Sequence, residues 1–189
     1  VEKDCGQYDT VTEVMWVTGA ALFIRLADYR EVGGLDGHFF AHMEEIDLCW
    51  RLRSRGKKLV CIPQSVVYHV GGATLKKENP RKTFLNFRNN LLMLYKNLPD
   101  KELEHVLFIR GILDRVAALV FYLKKDRANA RAVMQARREF EDIRYSFAAS
   151  RIENMMKSTD EIIPERTHFS IVMKYYLLGK KHFSQLKLF

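Results

Sequence analysis

Two kinds of hydrophobic pattern divide this chain, and the change falls near residue 79. Before it, apolar runs are short, β-branched and broken by glycine. Residues 14 to 25, VMWVTGAALFIR, predict a strand that opens into a close-approach loop at Thr18-Gly19-Ala20. LADYREVGG follows as a short helical turn ended by Gly33-Gly34, and Asp36-Gly37 makes a second turn. From His42 to Arg55 the spacing becomes helical, with Gly56 as the stop. KKLVCIP and SVVYHV then predict two short strands, separated by Pro63-Gln64 and ended by Gly71-Gly72.

Beyond residue 79 the apolar period lengthens. Asn79 as N-cap and Pro80 at the first helical position predict a helix up to Pro99. Asp100 is placed to cap the next one, in which Leu103, Val106, Leu107, Leu113, Val116, Ala117 and Val120 repeat at helical spacing. A third helix is predicted from Ala128 to about Lys157. The tail, THFSIVMKYYLLGKKHFSQLKLF, mixes aromatic and aliphatic groups with lysines, a composition that suits a membrane surface or a place against the core. No internal repeat or low-complexity segment interrupts this order.

Composition narrows the classes. At 189 residues and 48% hydrophobic content, the chain has enough apolar material for a folded core. Its most apolar stretches, 14 to 24 and 116 to 123, are far shorter than the roughly 18 residues of a membrane span. Cys5, Cys49 and Cys61 lack CxxC spacing, which argues against a zinc site and for a reducing, cytoplasmic compartment. Thirty-one Lys and Arg against 23 Asp and Glu give +8, which favours anionic partners. The opening VEKDCGQYDT, with neither an initiating methionine nor a leader, leads us to expect a fragment of a longer protein.

The densest chemistry lies in HMEEIDLCWR, residues 42 to 51. At about 100° per residue, Glu45 shares a stripe with Leu48, Cys49 and Leu52, whereas Glu44, Asp47, Arg51 and Arg55 share another. Asp47 and Arg51, at i and i+4, read as a helix-surface charge pair worth a few tenths of a kcal/mol. Glu45 faces the apolar side, where desolvation raises a carboxylate toward the range of a general base. His38 and His42 lie at i, i+4 with Glu45 three residues on, the spacing of a metal-binding face, but this is not an HExxH pattern and His38 falls before the expected helix. His69 ends an apolar strand just before two glycines.

Four segments, taken in order, carry a resemblance: the TGA loop, VGGLDGHFFAHMEEIDLCWRLRSRG, IPQSVVYHVGGATL and FRNNLLMLYKN. Together they resemble the C-terminal half of the catalytic domain of family 2 glycosyltransferases of the GT-A fold, over about residues 14 to 98. The resemblance implies an α/β to α+β fold: residues 1–98 as the C-terminal, acceptor-side portion of a Rossmann-like domain with few short strands, and residues 99–189 as a helical extension. It implies sugar transfer from a nucleotide-diphosphate sugar to an acceptor hydroxyl, with inversion and with Mg²⁺ or Mn²⁺.

In that family the second residue of a Glu-Asp motif is the general base. By position this is Glu45, preceded by Glu44, with Asp47 in the later acidic place. A glutamate where aspartate is usual moves the carboxylate by more than about an ångström, a displacement of the order that affects rate. The resemblance also places Thr18, Gly19 and Ala20 against donor sugar and acceptor, and His69 on the metal. Arg88, Lys76 and Lys77 become candidates for diphosphate oxygens.

No DxD occurs in the 189 residues, so the metal and the nucleotide are expected to need a preceding half, and this chain alone is expected not to turn over. The helical part resembles extensions of bacterial enzymes that build surface polysaccharide on lipid-linked acceptors, peripheral on the inner face of the membrane. The rival reading is a non-catalytic basic helical module that binds nucleic acid or anionic membrane. That rival explains the charge and the helices, but not four ordered motifs.

Overall fold

The computed structural model describes residues 2–70, 79–159, 163–167 and 169–186. Helices dominate them. In chain order the elements are β1 (Thr12–Glu13), α1 (Leu26–Glu31), α2 (Glu44–Ser54), β2 (Val60–Cys61), α3 (Pro80–Asn97), α4 (Asp100–Leu123), α5 (Arg127–Ile143), α6 (Ala148–Met156) and α7 (Ile171–Tyr176). Short 3₁₀ turns lie at Gly19–Ala21, Gly37–Phe39, Arg144–Phe147 and Phe183–Leu186. β1 and β2 pair antiparallel, Thr12 with Cys61 and Glu13 with Val60.

The predicted strand over 14 to 25 is not one. Apolar, β-branched sequence becomes a strand only where a neighbour supplies a hydrogen-bond ladder. Alongside this run the ladder ends once Val14 N–H donates to the Leu59 carbonyl at 3.0 Å. The predicted strand over 65 to 70 likewise forms no pairing among the described residues, and its valines 66, 67 and 70 are exposed. Gly71-Gly72, expected to end it, fall outside the described residues.

Helix boundaries follow the local chemistry more closely. The Asn79 side chain accepts from the Arg81 N–H at 2.9 Å, with Pro80 as the first helical residue. Gly56, at φ +75°, ends α2 in the left-handed conformation that glycine tolerates. Pro99, rather than Asp100, occupies the N-cap of α4. Asp100 is its first helical residue, and its carboxylate accepts from Arg151. The single helix predicted over 128 to 157 is broken by the turn at Arg144–Phe147. There Ser146 Oγ donates to the Ile143 carbonyl at 2.6 Å, and Phe147 turns inward against the His38 ring.

One apolar core crosses residue 98. Phe39, Trp50, Leu91 and Leu92 share it with Leu103, Leu107, Phe140 and Phe147. A smaller cluster of Val32, Leu48, Cys49, Leu52 and Leu59 lies on the other side of α2. α2 is therefore covered on both sides, and every residue from Asp47 to Ser54 is buried.

Candidate active site

The chain enters α2 through a strained loop. Phe40, His42 and Met43 have φ values of 62°, 70° and 74°. Three non-glycine residues with positive φ within four positions cost of order 1–3 kcal/mol each and persist only when the surroundings over-determine them. Asn89 supplies that hold from α3. Its fully buried Nδ2 lies 2.8 Å from each of the Phe39, Ala41 and His42 carbonyls, so two N–H groups are shared among three acceptors. The neighbouring Arg88 donates to the His38 carbonyl at 3.0 Å, and forms an ion pair with Glu139 at 2.7 Å. Arg88, a candidate for diphosphate oxygens, is thus engaged in bracing this loop.

What the loop presents is the first turn of α2. Glu45 is half-buried, and its Oε2 is enclosed without a hydrogen-bond partner among the described residues. Glu44 Oε2 and His42 Nε2 are in the same condition. Burial pushes the Glu45 carboxyl up, and the adjacent Glu44 adds to this; the backbone N–H groups of Glu45 and Ile46 and the His42 ring oppose it less strongly. Buried polar atoms are nearly always satisfied, and three without a partner among the described residues fall within positions 42 to 45, which makes this turn the candidate site.

The 3₁₀ turn at Gly19–Ala21 lies beside this carboxylate. Thr18 Oγ1 caps it, accepting from Ala20 N–H at 3.4 Å. A Cβ placed on Gly19 would meet Glu45 Cβ at 3.8 Å and Cγ at 3.9 Å. That is ordinary contact, so the protein itself does not demand glycine here. Thr18, Gly19 and Ala20 are all exposed, which leaves the approach to Glu45 open on this side.

Asp47 behaves differently from the sequence reading. It is 0% exposed, not a member of a surface pair. Its carboxylate accepts from Arg51 Nε at 2.9 Å, Lys96 Nζ at 3.0 Å and Asn97 Nδ2 at 2.7 Å. Arg51 donates further to the Val32 and Gly34 carbonyls. Lys96 also reaches Asp36 at 2.7 Å, and Asp36 accepts from the His38 backbone N–H and approaches its ring. Partial burial works against Asp36, yet Lys96 and His38 outweigh it and hold the carboxyl at about 2. Asp47 cannot meet a substrate from there; it anchors α2 to α3.

Other sequence candidates stand apart from the cluster. His69 lies in the exposed stretch before residue 71, and among the described residues no hydrogen bond or ion pair joins it to Glu45. Lys76 and Lys77 lie outside the described residues. His38 and His42 both precede α2, so they do not form an i, i+4 helical face with Glu45. Among the described residues no three His, Cys, Asp or Glu side chains are grouped as a metal site. Asn89, Lys96, Asn97 and Asp36 were not singled out from sequence. The available signal was Asn89, Lys96 and Asn97 at i, i+7 and i+8, one polar stripe on an otherwise apolar helix.

The chain was compared with known proteins. Over 141 residues it is 31% identical to the pre-mycofactocin glycosyltransferase of Mycobacterium tuberculosis, which covers 69% of this chain and 29% of that protein. Over 69 residues it is 33% identical to rhamnosyltransferase WbbL of Escherichia coli, covering 36% and 25%. Its relatives are glycosyltransferases. A third, the N-acetylglucosaminyl-diphospho-decaprenol L-rhamnosyltransferase of M. tuberculosis, is 38% identical over 56 residues, covering 30% and 18%. The chain spans less than a third of the length of these glycosyltransferases. No family profile and no solved structure matches it.

Proposed function

We propose that this chain is the acceptor-side portion of an inverting family 2 glycosyltransferase of the GT-A fold, with Glu45 as general base. The observation that carries the reading is the Glu45 carboxylate: half-buried, raised by burial, one oxygen unpartnered, and set beside the open Thr18-Gly19-Ala20 turn. A base of this kind takes the proton from an acceptor hydroxyl as that oxygen bonds to the anomeric carbon, while the nucleoside diphosphate departs with the electrons of the broken bond. Attack opposite the leaving group inverts the anomeric centre. The strained, Asn89-clamped loop fixes the carboxylate before the acceptor arrives, which removes reorganisation from the reaction step. Glu44 raises the basicity of its neighbour by charge.

The acceptor is proposed to be lipid-linked or a polysaccharide, since one relative's name specifies a diphospho-decaprenol sugar. Mg²⁺ or Mn²⁺ would neutralise the diphosphate. His69, an exposed imidazole, is a fitting single ligand, and the remaining donors are proposed to come from a nucleotide-binding half outside residues 1–189. The exposed, unpaired valines at 66, 67 and 70 suit a segment covered by such a half. A peripheral place on the inner face of the membrane belongs to the same proposal. The named relatives favour this reading over a nucleic-acid-binding module.

The test is transfer by the longer enzyme that contains this segment. Glu45→Gln is expected to lower kcat by at least about a hundredfold, as loss of a general base does. Glu45→Asp should retain more activity than the Gln variant. Wild-type turnover by Glu45→Gln removes Glu45 as base. Turnover of a nucleotide sugar by residues 1–189 alone refutes the need for a second half.

A further inference from the structure

Helix α4 turns Leu103, Leu107, Gly111, Asp114 and Ala118 inward, and its outward face is apolar as well. Phe108, Ile112, Val116, Leu119 and Leu123 follow at three- and four-residue intervals, one stripe about 23 Å long at 1.5 Å per residue. Their exposure runs from 49% at Ile112 to 70% at Leu123, and Tyr122 stands exposed beside them. Contiguous apolar surface of this extent marks an interaction site. The charge around it is unequal. Lys124, Lys125 and Arg127 are exposed at its C-terminal end around Asp126, Arg115 and Lys101 border it further back, and Glu104 and Glu141 are acids beside Phe108 and Ile112, with Arg144 paired to Glu141.

We infer that this face of α4 docks on an anionic lipid bilayer, the stripe lying at the boundary of headgroups and acyl chains and the basic end on lipid phosphates. A second copy packed antiparallel on the stripe would set the basic end against Glu104, Lys101 and a Glu141 already paired with Arg144, which leaves most of the positive charge uncompensated. Anionic headgroups compensate all of it. A helix with aromatic and aliphatic residues on one side and basic residues at its border has the character of an interfacial helix. No helix among the described residues is long and apolar enough to cross a membrane, so the contact is peripheral. The inference deepens the peripheral membrane place proposed above, and its failure is distinguishable from a failure of sugar transfer because binding is measured with no sugar present.

The 189-residue chain is sedimented with phosphatidylcholine vesicles, with and without phosphatidylglycerol, at low and high salt. Binding is expected to require the anionic lipid and to weaken with salt. Phe108→Ser/Leu119→Ser should lower the partition coefficient at least about tenfold through lost apolar burial. Lys124→Glu/Lys125→Glu should lower it by more than about tenfold, at roughly fivefold per charge removed. All four positions are exposed, and unchanged circular dichroism and melting confirm the fold. Tyr176→Ser/Leu177→Ser, in the exposed α7 region, is the control. Loss of binding in that control with full binding in both α4 variants overturns the inference. So does equal binding to neutral vesicles. A dimer in light scattering that Phe108→Ser/Leu119→Ser dissociates, without vesicle binding, assigns the stripe to a second copy and overturns it too.

Discussion

Asp47→Ala tests whether the acid cluster is a surface feature or part of the frame. A surface pair with Arg51 would contribute about 0.3–0.5 kcal/mol. The structure gives a different magnitude. The carboxylate is wholly enclosed and accepts from Arg51, Lys96 and Asn97, and the side chains of Arg51 and Lys96 are themselves only 6% and 3% exposed. Removing the acid strands two buried cations, a change that costs about 3–5 kcal/mol. Arg51 keeps the Val32 and Gly34 carbonyls, and Lys96 keeps Asp36, so the lower end of that range, about 3 kcal/mol, is expected. Urea unfolding followed by far-UV circular dichroism measures it, with an unchanged m-value as the sign that stability alone moved. A cycle with Lys96→Met isolates the pair, and a coupling above about 1 kcal/mol is expected. A loss within about 0.5 kcal/mol for Asp47→Ala, or additive single variants, would refute the buried network.

Other variants probe the remaining parts of the site. Asn89→Ala frees three carbonyls of a strained loop and should cost about 2–3 kcal/mol in urea unfolding, with faster amide exchange at residues 39 to 43 as the specific signature. Asp36, held at about 2, contributes stability that is complete above its unfolded value and is lost as pH falls through 2. The contribution is about 2 kcal/mol, with the side chain only 18% exposed; unfolding between pH 5 and 2 should show it in wild type and not in Asp36→Asn. Glu45 has the opposite sign: a raised carboxyl is most comfortable protonated, so stability falls as pH rises through its folded value. Glu45→Gln should therefore melt higher than wild type at neutral pH while transfer is lost, and a lower melting temperature would contradict the burial argument. Gly19→Ala should leave stability within about 0.5 kcal/mol, because its Cβ finds only ordinary contact, but raise KM for the acceptor in the longer enzyme.

What was legible in the sequence was local. Asn79-Pro80 and Gly56 announce helix ends because a cap and a left-handed residue act within one turn. The strand expected in KKLVCIP is present at Val60–Cys61, but those over 14 to 25 and 65 to 70 were misread because a β-branched run states a preference, and pairing needs a partner that residues 14 to 25, among the described residues, find only at Leu59. Asp47 was misread for a related reason. Helical phase assigns a polar stripe to water, but α3 brings a second polar stripe to meet it, and two such stripes satisfy each other in the interior. Nothing in residues 42 to 55 alone reveals that partner, about fifty positions away. Glu45 was more legible, because its neighbours at i+3, i+4 and i+7 are apolar, and these are buried as the phase requires.

The two polar contacts of α3 explain how a half-buried carboxylate is kept in place. Asn89 grips the loop just before α2, while Lys96 and Asn97 grip Asp47, two residues beyond Glu45. Along α3 these grips lie seven and eight positions apart, about 11–12 Å at 1.5 Å per residue, so one rigid helix holds Glu45 from both sides in sequence. Neither grip touches Glu45 itself. The unpartnered oxygen of Glu45 and the positive φ values before it are unfavourable in the free protein, and they survive because α3 opposes their relief. A residue positioned this way differs from one held by its own hydrogen bonds: its carboxylate stays free to accept a proton. Loosening α3 at Asn89 should therefore reduce kcat in the longer enzyme without altering the pH at which the base titrates, whereas substitution of Glu44 or His42 should move that pH, since these residues act on Glu45 by charge.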